Sequence, residues 1–174
     1  VLDRAIEALA PRQVEGLVAQ VRISRAFRLL ADEGPSDINL AELRACLTDG
    51  PPTYLAASGW ASLAVGEADR GRAEEAARCL ALAAEAPGDA NGDLLIRRAE
   101  AELAYLAGRA DSCWTIAVYA LAGSDTFLPG RQILGALAAW AAIDLDPAPA
   151  AWPDVPPSPF PIVGATPDLI AGAR

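Results

Sequence analysis

Three glycines constrain this chain more than any other residues do. Gly34, Gly71 and Gly108 stand 37 residues apart, each between two alanine-rich helical runs. A fixed interval in the 20–50 residue range marks a stacked repeat, in which each unit hides its apolar face only against its neighbours. Glycine suits such turns because, lacking a Cβ, it enters the left-handed backbone region freely. The composition agrees with helices. Hydrophobic residues make up 53% and aromatics only 6%, so much of the apolar content is alanine, the strongest helix former. β-branched residues are too sparse for a sheet. At 174 residues the chain has the length of one domain, able to bury roughly 70% of its unfolded surface.

Apolar spacing predicts a short helix over Leu2–Leu9 and a long one over 12–33, with Val14, Leu17, Val18, Val21, Phe27, Leu29 and Leu30 as its stripe. Asp37 or Asn39 is the expected cap of the next helix, which carries Leu40, Leu43, Cys46 and Leu47. Further helices are expected over Thr53–Asp69, Ala73–Glu85, Asp93–Leu106, Asp111–Leu121 and, after Pro129, 130–143. The expected fold is all-α, a solenoid of about seven helices over 1–145. Residues 146–174 hold eight of the fourteen prolines, which excludes helix over most of that stretch and predicts an extended tail. Trp152, Phe160, Ile162 and Val163 make the tail apolar enough to dock on its own domain or on a second copy, which is a route to a homo-oligomer.

The net charge of -9 leaves no basic footprint for nucleic acid or for an anionic membrane surface. No apolar run approaches the ~20 residues of a membrane span. All 14 basic residues are arginine, and the lysine-free composition fits a GC-rich bacterial genome. The three cysteines, Cys46, Cys79 and Cys113, are odd in number and lack CxxC spacing. They read as small buried hydrophobes in a reducing, cytoplasmic setting. The start, with Asp3, Arg4 and Glu7, does not read as a signal peptide. The absence of methionine suggests a piece of something longer. No histidine is present, which removes Ser-His-Asp and Cys-His catalysis and imidazole metal ligands. No glycine-rich phosphate loop appears, and the glycines are isolated at turns. Glu74 and Glu75 fall in a helix's first turn, where the helix dipole favours acids. Trp60, Trp114 and Trp140 recur at core positions, where packing is a simpler role than an aromatic cage. The expectation is a chain that is not an enzyme, with neither a metal nor a cofactor.

Within this pattern, Trp60, Leu63-Ala64, Glu67, Gly71, Ala76, Leu80, Ala83 and Pro87-Gly88 together resemble a tetratricopeptide repeat. Ala64, Ala76 and Ala83 are small where two helices of a hairpin cross closely. The resemblance extends over about 12–144 by shifts of 37, with two departures. The interval exceeds the family's usual ~34, and Arg97, Glu100 and Cys113 replace expected apolar or alanine positions. The longer repeats are also similar to the helical regions of LuxR-type and STAND-class bacterial regulators. The resemblance implies a superhelix of antiparallel hairpins whose first helices line a concave groove for a protein or peptide. It places Ser24, Arg28 and Asp32, then Ser58, Val65 and Asp69, then Arg98, Glu102 and Tyr105, then Gln132 on that groove. Arg28 and Arg98 suit a carboxylate, although Arg98 and Glu102, four apart, also fit a mutual ion pair on a solvated face. The function it implies is a non-catalytic binding scaffold. The alternatives are a sensing module of a transcription regulator and an accessory docking subunit of an enzyme complex.

Overall fold

In a computed structural model, the described residues are 2–9, 14–88, 90–123, 129–146 and 149. Among them the chain forms eight helices and no strand: α1 (Leu2–Leu9), α2 (Glu15–Glu33), α3 (Asp37–Thr48), α4 (Ala56–Asp69), α5 (Ala73–Glu85), α6 (Ala90–Leu106), α7 (Ala110–Ala122) and α8 (Pro129–Ile143). They divide into two compact units, residues 1–96 and 97–174, the boundary falling within α6. The expected proline-rich tail, 146–174, lies outside the described residues except for residues 146 and 149. None of the described helices is long and apolar enough to cross a membrane.

Among the described residues the three spaced glycines are the glycines with positive φ, at 82°, 74° and 70° for Gly34, Gly71 and Gly108. Two of the turns are the same motif. The Gly71 amide donates to the Ala68 carbonyl and the Arg72 amide to that of Glu67, while the Gly108 amide donates to Tyr105 and the Arg109 amide to Ala104. This paired pattern is the Schellman closure, which satisfies the last carbonyls of a helix by passing through one left-handed residue. Arg72 and Arg109 then open the next helices with nearly the same backbone angles. The Gly34 turn differs: its amide bonds back to Leu30, its ψ is extended, and Pro35 follows.

The cap of α3 is Ser36, one residue before the expected Asp37 and three before Asn39. Its side chain accepts from the Asn39 amide at 3.2 Å, which satisfies one of the free donors of the first turn. Asn39 instead sends its side-chain amide back to the Gly34 carbonyl at 3.1 Å and so ties the end of α2 to the start of α3. The expected start of α4 at Thr53 also moves, to Ala56, because the Thr53 carbonyl and hydroxyl close a turn onto Ala56 and Leu55.

In the first unit each helix packs on the next in sequence, from α1 through α5. The buried face of α2 is Val18, Ala19, Ile23 and Ala26, whereas Val14 and Leu17 of the expected stripe are exposed. Small residues set the spacing of α4 and α5: Ala57, Ala61, Ala64, Ala76, Cys79 and Ala83 are all buried. The α3–α4 seam rests on two glycines absent from the repeat pattern. Gly66 and Gly59, seven apart on one face of α4, receive Leu40 and Leu47, seven apart on α3, so the two helices run antiparallel. A Cβ at Gly66 would lie 2.5 Å from Leu40 Cδ2 and 3.3 Å from Pro35 Cβ, and one at Gly59 would lie 2.6 Å from Leu47 Cδ2.

In the second unit α7 packs along α8. Cys113, Ala117, Ala120 and Leu121 are buried on the first, and Leu134, Leu137, Ala138 and Ala141 on the second. The Cys113 thiol donates to the Leu137 carbonyl at 3.7 Å.

The α3–α4 seam gives a differential test. Leu40 is buried and Pro35 closes on the same position, whereas Leu47 is half-buried. Gly66→Ala is therefore expected to lower stability by about 1–3 kcal/mol through overpacking. Gly59→Ala should be nearly neutral, because the gain of about 1 kcal/mol in helix propensity offsets a smaller clash. Urea midpoints of the two variants check this order.

Candidate functional site

The ten positions assigned to the groove separate into distinct environments. Ser58 and Gln132, at 4% and 2% exposure, are buried polar residues rather than partner-facing ones. Ser58 lies in the part of α4 closed in by its neighbours, and Gln132 is enclosed on the first turn of α8. Arg28 and Asp32 form an exposed ion pair with each other at 2.7 Å, one turn apart on α2. Ser24 and Val65 are half-buried and Asp69 is exposed. Arg98 and Glu102 pair at 3.5 Å along α6. Both arginines expected to clamp a partner carboxylate thus meet acids on their own helices.

Tyr105 is the position that gathers a site. Spacings of four and three put Arg98, Glu102 and Tyr105 on one face of α6, within the second unit. The Tyr105 ring meets Trp140 of α8 with centroids 6.2 Å apart and planes tilted by 33°. Asp144 follows just past the end of α8, one turn after Trp140, and is exposed. Burial and then this carboxylate hold the phenol above its usual range. Trp140, expected in the core, is 42% exposed, and Ile143 one turn later is 62% exposed. An open indole, a phenol and a carboxylate therefore adjoin one another. Sequence reasoning named Tyr105 and missed Asp144, whose only signal is its position one turn after Trp140.

The first unit carries a continuous ionic chain. Glu67, buried near the end of α4, accepts from Arg44 of α3 at 2.7 Å and from Arg72 of the glycine turn. Arg44 continues to Glu75 of α5 at 2.6 Å, and Glu75 to Arg78. Arg72 continues to Asp37 at 2.7 Å, which also meets Arg70 at 2.9 Å. The Arg72 hydrogen bond holds the Asp37 carboxyl below its usual range, and that of Arg78 does the same for Glu75. A separate cavity of about 740 Å³ opens between α1, α2 and α3. Arg25 on its wall is already neutralised by Asp3 and Glu42.

Two of the three thiols are enclosed, and Cys46 is half-buried. Cys79 and Cys113 are fully buried. Burial, and then Glu102, push the Cys113 thiol up to about 11. Burial also raises Cys79 despite the neighbouring Arg44. Neither holds an appreciable thiolate near neutral pH. Among the described residues no group of three histidine, cysteine or carboxylate side chains is arranged to hold a metal.

The chain matches no protein-family model, no curated protein and no solved structure.

Two measurements check the ionic chain. Glu67→Ala leaves two guanidinium groups facing a buried site and is expected to cost about 1–3 kcal/mol, toward the lower end because both arginines are about a third exposed and screened by water. Asp37 titrates below its ordinary value of 3.8 in the folded state. Its contribution is therefore complete above that value and is lost as pH falls through the lowered one. Asp37→Asn should be less stable than the parent at pH 7, and the gap should close on acidification below about pH 4.

Proposed function

We propose that the chain is a non-catalytic, tetratricopeptide-like helical-repeat module that holds a protein or peptide along the first helices of its hairpins. The observation that carries this reading is the backbone itself. Left-handed glycines recur at the sequence interval of 37, and two of them share one Schellman closure. Consecutive packing from α1 to α5 supports it further, since repeat proteins bury their cores between sequence neighbours. Such an architecture leaves side chains of alternate helices available over a long surface, where a segment docks by many modest contacts. The face of α6 and α8 bearing Arg98, Tyr105 and Trp140 is the best-formed part of that surface in the second unit. Selection of a displayed random-peptide library on the folded chain tests this. Enrichment of related peptides whose binding falls at least about tenfold in Tyr105→Ala, with unchanged helicity, is the expected result. Failure to enrich any peptide, or enriched peptides indifferent to Tyr105→Ala, would contradict the assignment.

A further inference from the structure

We infer that Tyr105, Trp140 and Asp144 hold a lysine or arginine side chain of the bound partner. The inference rests on the binding-module reading and names the chemistry of its ligand. The sign of the partner follows from which charges are already spent. Arg28 and Arg98 are each paired with an acid of their own helix, Asp32 and Glu102, so an acidic segment at either predicted clamp competes with a carboxylate already in place. Asp144, by contrast, is exposed, stands one turn after Trp140 and forms no ion pair among the described residues. Its carboxylate lone pairs are open to a donor from a partner.

The rings supply the other half of the site. A cation is attracted to the face of tryptophan or tyrosine when it lies within about 6 Å of the ring centroid. The two centroids here are 6.2 Å apart and the rings are tilted by 33°, and the Trp140 indole, 42% exposed, offers the accessible surface to an ammonium or guanidinium. Ile143, 62% exposed, offers apolar contact to the aliphatic stem that lysine and arginine lay along such surfaces. The net charge of -9 adds long-range attraction for a basic segment.

The test is fluorescence polarisation with the full 174-residue chain and two labelled peptides of the same length, one bearing arginines spaced by alanines and the other glutamates at the same positions. The basic peptide is expected to bind and the acidic one not to. Asp144→Asn should weaken the basic peptide about fivefold, from loss of a charged hydrogen bond. Trp140→Phe, which keeps a ring in place, should weaken it about threefold. Glu74→Gln, the same loss of charge at an exposed position of α5, should leave it unchanged. The inference is overturned by preference for the acidic peptide, by basic-peptide binding that Trp140→Phe does not weaken, or by an equal loss in Glu74→Gln and Asp144→Asn. In each of these cases the binding-module reading stands. Binding of neither peptide, together with an empty library selection, removes both.

Discussion

A helix that reverses within three residues has to end on a residue whose backbone turns left-handed, and in this chain glycine supplies it. At Gly71 and Gly108 the left-handed residue allows two amides to reach back to the final carbonyls, so the helix end is satisfied without a side chain or water. The next helix starts from Arg72 or Arg109 in a direction set by that closure. Where helix pairs follow one another at such turns, burial depends on what lies between the axes. Alanine, cysteine and glycine lie there, and the paired Gly59–Leu47 and Gly66–Leu40 contacts bring α3 and α4 together in a defined register.

The ionic chain around Glu67 adds specificity to this packing rather than bulk stability. Its acid is buried, but its arginines remain partly in water, so the attraction is screened. Geometry is what it contributes. Arg72 is positioned by the glycine turn and Arg44 by α3, and the two converge on one carboxylate at the end of α4. A shift of any of these three elements along its axis would separate a buried charge from its partner.

Much of the fold was legible in the sequence because turns and small residues leave local signatures. The glycine interval located the three positive-φ glycines of the described residues, and Ala64, Ala76 and Ala83 are buried as the repeat pattern required. The misses concern competition between equivalent local choices and contacts between elements. Ser36 displaced Asp37 and Asn39 as the cap, since all three are good caps and only the backbone path decides among them. Gly59 and Gly66 resemble helix-weakening residues until α3 is placed beside them. The site was less legible. Repeat register put Ser58 and Gln132 on the binding face, where the structure buries them. It gave Arg28 a partner's carboxylate, when an acid one turn away satisfies it. Register also left Trp140 in the core, because an apolar helix facing two ways does not reveal which aromatic stays open.

The proposed binding surface is built on turns that recur at one sequence interval, two of which share one backbone closure. The most direct measurement is the sign of φ at Gly34, Gly71 and Gly108 in solution, read from the pair of three-bond couplings between each glycine amide and its two Hα protons. The account predicts positive angles at all three, near 82°, 74° and 70°. A negative φ at Gly71 or Gly108 would contradict it, because the Schellman closure cannot form without the left-handed residue.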